Sequence, residues 1–423
     1  MKNNRFNQAG QLGRRGFMSR VAKTALGVGV GAPFINPALA GVLPNTDKKL
    51  IFLYMAGGMS HLDTFDPHPG TEEAGPVKAI ATNVDGIQIS EFFPHTAQQM
   101  DKLAIIRSMY STQGAHGQGN YLMHTGYDPR GSIVHPTLGS WSMLHQGKIN
   151  PALPGNIVIS PGSDYAYAGF LPPELGAVPI GDAAKGLQHS KRPAWVNEQQ
   201  YHDQLELANT FDRRFREKYR QRSIAAYEKF YTEAVTLMES ADLAAFDIHK
   251  ESPETKARYG AKSRFGQGCL LARRLIEHGV RCVEVTKGGW DSHNEMPEDK
   301  ARDLDQALAA LMQDLHDRGL LDSTIVVVAT EFGRNPELKP ESLGRDHWAK
   351  AFSTVIGGGG IKTGQVIGAT DRGHEVAADK VLIPDLHATI GTAMGMPIKK
   401  VVMSDSGRPF NVGYKGMPVQ ALI

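Results

Sequence analysis

Four short polar clusters hold the residue types that chemistry needs. They are Gly57-Gly58-Met59-Ser60-His61-Leu62-Asp63, Gly288-Gly289-Trp290-Asp291-Ser292-His293, Thr330-Glu331-Phe332-Gly333-Arg334 and Gly344-Arg345-Asp346-His347-Trp348. Carboxylates and imidazoles gathered in one place are what a divalent ion takes as ligands. Asp291 and His293 stand two residues apart, so in an extended segment both side chains face one way and can meet one ion. Asp346 precedes His347; its carboxylate can ligate beside the imidazole or orient it, and a surface pair with Arg345 is the competing reading. Glu331 closes a very apolar run, where a carboxylate must be solvated, bound to an ion or paired with a cation such as Arg334. His61 and Asp63 follow the first apolar run. The candidate ligand set is therefore Asp291, His293, His347, Glu331, Asp346, His61 and Asp63. His116 and His124 bracket a glycine-rich turn. Gly357 to Gly360 is no phosphate loop, because no Gly-Lys-Ser/Thr follows, and there is no G-x-S-x-G elbow.

Three clusters are preceded by apolar runs that read as buried strands, at Leu50–Met55, Cys282–Val285 and Thr324–Ala329. Strand and helix patterns alternate over much of the chain. This predicts an α/β fold with a mostly parallel central sheet and helices on both faces. In such a sheet ligands bind beyond the carboxyl ends of the strands, which is where these clusters fall. Helices are expected over Phe92–Lys102, Glu254–His278, Glu298–Gly319 and about Asp385–Met394, with further strands at Leu103–Arg107 and Phe352–Ile356. Residues 128–200 are rich in proline and glycine, hold one strand within Pro151–Ile159, and read as an ordered insertion near the site. Residues 201–250 read as a charged helical segment.

Residues 1–40 read as a leader. Arg14-Arg15-Gly16-Phe17-Met18 is a twin-arginine export pattern, followed by a short apolar stretch and Ala38-Leu39-Ala40, a cleavage signal. Removing it takes away six basic residues and no acid, turning the chain's formal charge from +2 to −4. The expected product is a periplasmic or secreted domain over 41–423, mildly acidic, without a further membrane span and without the basic face that nucleic-acid binding needs. Its two cysteines, Cys269 and Cys282, are too few for a disulfide framework. They read either as two buried thiols or as one helix–strand disulfide.

The ordered clusters resemble the alkaline phosphatase/sulfatase superfamily, and more closely an exported family known as domain of unknown function 1501. Ile51 to Ser60 resembles the superfamily's first strand and metal-binding turn. His116 through Thr125-Gly126 resembles its nucleophile segment, Asp291 and His293 its paired metal ligands, and His347 its late histidine ligand. Departures accompany the matches. His116 stands at or near the place of a Ser, Thr or Cys, Glu331-Phe332 replaces an Asp-His pair, and Gly57-Gly58 replaces an Asp. The resemblance implies a metal-dependent hydrolase of a phosphate or sulfate ester, with a divalent ion, zinc or calcium, and a small anionic ester or a sulfated or phosphorylated glycan as substrate. His116 would be nucleophile or general acid, and Arg334 or Arg345 would meet the substrate's charge. The missing nucleophile supports the alternative, a non-catalytic binding or assembly protein on the same scaffold.

Overall fold

The computed structural model describes residues 46–423 apart from 164, 166, 189, 191–196, 198, 201–202, 204–232 and 234. The leader and most of the segment read as helical at 201–250 lie outside the described residues. Among the described residues nine strands form the central sheet: β1 (Lys49–Met55), β2 (Leu103–Tyr110), β3 (Asn156–Ile159), β4 (Val178–Ile180), β5 (Cys282–Lys287), β6 (Thr324–Ala329), β7 (Phe352–Gly358), β8 (Gln365–Ile367) and β9 (Val381–Leu382). Their order is β8-β2-β7-β6-β1-β5-β3-β4, with β9 also paired to β2. All pairings are parallel except the two made by β7, which runs antiparallel to β2 and β6.

The apolar alternation along each strand decides which face it feeds. Ile51, Leu53, Met55, Val283, Val285, Val326 and Val328 join one core with the helices α3 (Arg264–Glu277) and α4 (Glu298–Asp317). Leu50, Phe52, Tyr54, Cys282, Ile325 and Val327 join the other, under the helices α1 (His116–Thr125), α2 (Leu138–Gln146) and α5 (Ile383–Ala393). Both faces are thus covered, and β1 and β6 are buried along their whole lengths. Each Leu, Ile or Val buried this way is worth about 1.5–3 kcal/mol. Cys269 lies in the first core and Cys282 in the second, on opposite faces of the sheet, and both are free thiols.

Some elements differ from their sequence patterns. The single helix expected over Glu254–His278 is two, Pro253–Arg258 and α3, because Gly260 takes a left-handed φ of +59° and Ser263 caps α3 by accepting the Gly266 N–H. The expected Phe92–Lys102 helix shrinks to a 3-10 segment, Thr96–Lys102. Residues 128–200, read as an insertion, supply α2 and also β3 and β4, which complete one edge of the sheet. No helix among the described residues is long and apolar enough to cross a membrane.

Candidate metal centre

β1, β5 and β6 are parallel neighbours, so their carboxyl ends share one edge of the sheet. The chain leaving β1 pairs with the chain leaving β5: the Ala56 N–H donates to Lys287 O at 2.9 Å and the Trp290 N–H to Ala56 O at 3.2 Å. That approach requires glycine at 57, which has a φ of +119°, because a Cβ there would stand 2.4 Å from the Asp291 nitrogen. After β6, Gly333–Arg334 pairs antiparallel with His347–Trp348, with Arg334 opposite His347. The chain leaving β2 reaches the same edge and starts α1 at His116. Asp291, His293, His347 and His116 therefore come from three parts of the sequence and meet at one place.

The meeting point is the Asp291 carboxylate. Its Oδ1 lies 3.2 Å from His116 Nε2, 3.0 Å from His293 Nε2 and 3.2 Å from His347 Nε2, and the last two nitrogens are 3.1 Å apart. His116, Asp291 and His347 each place one ligand atom within 4.8 Å of the others. Bonds of about 2.0–2.1 Å to an ion would set neighbouring donors roughly 2.8–3.4 Å apart in a tetrahedral or octahedral shell. The four measured separations fall in that range.

The second nitrogen of each ring shows how the first is used. Nδ1 of His116 faces Glu331 Oε1 at 2.8 Å, Nδ1 of His293 faces Asp346 Oδ1 at 2.6 Å, and Nδ1 of His347 faces the Gly114 carbonyl at 3.1 Å. Each Nδ1 faces an oxygen acceptor and each Nε2 faces Asp291 Oδ1, so with an ion on the Nε2 side the proton of each neutral ring would sit on Nδ1. Three Nε2 atoms and a carboxylate oxygen converge, with the His293 and His347 nitrogens 3.1 Å apart. Ring protons, the Arg334 guanidinium 2.6 Å from the same oxygen, and a metal ion are the positive charges that can hold such a set together. A carboxylate or carbonyl behind each imidazole is the usual support of a metal-bound histidine. His116, Asp291 and His347 fit a divalent ion, and His293, 3.0 Å from Asp291 Oδ1 and 3.1 Å from His347 Nε2, stands beside them as a fourth candidate.

Glu331 is buried at the end of β6. Besides His116 it accepts from the Gly57 N–H at 2.8 Å, from Tyr54 Oη at 2.9 Å and from Thr330 Oγ1 at 3.2 Å. Burial pushes its carboxyl up, but these donors, His116 first, hold it below the usual range. The Glu331 hydrogen bond in turn raises His116. Burial also opposes the ionised form of Asp291, and Arg334 and His347 outweigh it, holding Asp291 well below the usual carboxylate range. Phe332, fully buried, packs against the rings of both His116 and His347. About half of Asp291 and a third of His116 and His293 face solvent, so the cluster is open to a ligand.

The other expected residues have different places. Arg334 is fully buried and cannot meet a substrate. Its guanidinium donates to Gly58 O at 2.8 Å, Arg345 O at 3.1 Å, Trp290 O at 3.2 Å, Gly57 O, and Asp291 Oδ1 at 2.6 Å. It ties the exits of β1 and β5 to the Asp291 carboxylate. Glu331 and Asp346 stand behind histidines rather than at the meeting point, and Asp346 also takes Lys339 Nζ at 2.7 Å. His61 and Asp63 belong to a separate buried network. His61 Nε2 meets Gly373 O at 2.9 Å, and Asp63 holds Arg345 through two contacts, at 3.0 and 3.2 Å. This also removes Arg345 from any role with substrate. Tyr54 and the Gly114 carbonyl were not singled out in the sequence. Tyr54 sits in an apolar strand, and a carbonyl carries no sequence signal.

No curated protein matches the chain. Among solved structures it is similar to a protein in the alkaline phosphatase superfamily from Vibrio parahaemolyticus, at 11% identity and a TM-score of 0.40 over 96% of this chain and 78% of that one. It is also similar to a sulfatase from a Pseudoalteromonas species, at 13% identity and a TM-score of 0.39 over 90% and 72%. A third similarity is to the lipoteichoic acid synthase LtaP from Listeria monocytogenes, at 10% identity and a TM-score of 0.36 over 90% and 79%. The profile of the family described as "Protein of unknown function (DUF1501)" matches residues 47–423, and the chain belongs to that family.

Proposed function

We propose that this is an exported, metal-dependent hydrolase of phosphate or sulfate esters, acting on a small anionic ester or an anionic glycan. The observation that carries the metal is the convergence of three Nε2 atoms on Asp291 Oδ1 at 3.0–3.2 Å. His116, His293, His347 and Asp291 would hold the ion. Three imidazole nitrogens suit zinc or a neighbouring first-row metal. Calcium, the other expectation, takes about six to eight oxygens and does not fit this donor set.

A divalent ion bound there supplies Lewis acidity toward an ester oxygen. The chain supplies position. Arg334 keeps Asp291 ionised and fixed, Glu331 holds the His116 ring, and Asp346 holds the His293 ring. The first turn of α1 adds free backbone N–H groups, since Ala115 offers no side-chain cap and the space beside Gly117 is open. Such a turn favours an anion. Ala115, His116 and Gly117 bring no hydroxyl or thiol to this point, and His116 has both ring nitrogens committed. Water is then the attacking group, and the nucleophile role first read for His116 gives way to a ligand role.

The test is native export followed by elemental analysis and a panel of phosphate and sulfate esters, with and without chelator. Bound metal with chelator-sensitive turnover supports the proposal. Bound metal without turnover of any ester favours the non-catalytic scaffold. Absence of metal after loading refutes the reading. Export itself is tested by Arg14→Lys with Arg15→Lys, which should leave the protein in the cytoplasm.

A further inference from the structure

A second buried polar group lies on the α1 face of the sheet, away from the metal ligands. His124, in the last turn of α1, places Nε2 3.0 Å from Glu284 Oε1 in β5, and its Nδ1 faces Asn120 O at 2.8 Å. Both residues are buried. Both ring nitrogens face oxygen acceptors, so the ring donates from each and is an imidazolium paired with a carboxylate. Glu284 also accepts from Tyr165 Oη at 3.1 Å and Thr286 Oγ1 at 3.3 Å. The Tyr54 ring stands edge-on to His124, with centroids 4.4 Å apart, and its hydroxyl donates to Glu331.

The two partners sit on the two elements that must be held in register for the ion. α1 begins with His116, and β5 leads directly into Asp291 and His293. A buried ion pair is weak as a source of stability, because desolvation offsets most of its attraction, but its geometry is demanding. A buried pair at this point has a clearer use in register than in folding free energy. We propose that the His124–Glu284 pair is a positioning element that sets α1 against β5 and, through that register and through Tyr54 and Glu331, the affinity of the metal centre. This rests on the metal reading above.

Zinc affinity is measured by chelator competition for the wild type, His124→Gln, Glu284→Gln, the double variant and Tyr165→Phe. The visible spectrum with cobalt in place of zinc reports the ligand geometry of the ion, and the thermal midpoint is recorded alongside. Each single change at His124 or Glu284 should weaken zinc on the order of tenfold, the lower end of the effect of removing an outer partner of a ligand, and change the cobalt spectrum. The double variant, whose two amides can hydrogen-bond across the same gap without net charge, should recover most of the affinity. Should the single variants fail to fold, Tyr165→Phe, which removes the 3.1 Å hydrogen bond to Glu284 and a contact with Thr137 while leaving the pair itself, decides the matter: weaker zinc and an altered cobalt spectrum support the role. Folded variants with wild-type affinity and spectrum, whatever their thermal midpoint, overturn it. A wild-type protein that takes up neither ion refutes the metal reading as well, so the two failures are distinguishable.

Discussion

Replacing Glu331 with glutamine separates a metal ligand from a residue that orients one. The carboxylate accepts from His116, Gly57, Tyr54 and Thr330. A glutamine whose carbonyl takes the Oε1 place keeps the His116 and Gly57 bonds, and its amide meets two hydroxyls, each able to accept as well as donate. Stability should therefore change by only about 1 kcal/mol. Glu331→Ala takes the acceptor from His116, Gly57 and Tyr54, while Thr330 keeps Met55 O at 2.8 Å. At about 1 kcal/mol or more for each of the three, it should lose roughly 3 kcal/mol or more, a large part of a typical folding free energy. The charge behind His116 is lost in both variants. Removing such a partner costs about 10–100-fold in metal affinity, or about 1.4–2.7 kcal/mol. Glu331 also raises His116, so at mildly acidic pH the wild-type ring competes for a proton and the glutamine variant competes less. The comparison belongs at pH 8, where this offset vanishes. The assay is zinc titration against a chromophoric chelator, with urea unfolding of the metal-free proteins. Wild-type zinc affinity in both Glu331→Gln and folded Glu331→Ala would refute the supporting role.

Asp63→Asn should cost about 3–5 kcal/mol, since it leaves the Arg345 guanidinium in a buried site without its carboxylate, yet leave the zinc bound per folded molecule unchanged; reduced stoichiometry in folded protein would return Asp63 to the site. Stability should fall in acid through His135 and His387, both buried and both lowered by burial to about 4. Their stabilising effect is complete above the unfolded value near 6.5 and is lost as pH falls toward 4, about 2 kcal/mol each by pH 5. Urea unfolding at pH 7.5 and pH 5 measures it, and an equal slope in His135→Gln would contradict the assignment. Zinc should raise the thermal midpoint, because binding at a thousandfold excess over Kd adds about 4 kcal/mol; Asp291→Asn with His347→Ala should abolish the rise, and a rise that persists points to another site.

The sheet was legible because its strands are apolar on both faces, and the site because its loops follow strand ends. Direction was not legible: nothing in Phe352–Ile356 shows that β7 runs antiparallel, since apolar runs carry no polarity. The partners of charged residues were not legible either. Arg334 lies three residues after Glu331, and a local pair was one reading, but the strand pairing turns Arg334 toward Asp291 and the carbonyls of the β1 and β5 exits. His61 and Asp63 share a loop with ligand-like spacing, and Arg345, about 280 residues later, draws Asp63 into a buried pair. The His116 ring is held by Glu331, which reaches it from 215 residues away. Spacing reveals neighbours along the chain, and these roles are set across it.

The central claim is that one ion sits among His116, His293, His347 and Asp291. Anomalous diffraction at the zinc edge from crystals grown with zinc tests it most directly. The account predicts a single strong peak within bonding distance of the three Nε2 atoms and Asp291 Oδ1. A peak at His61 and Asp63, or none at the cluster in zinc-loaded crystals, would contradict it.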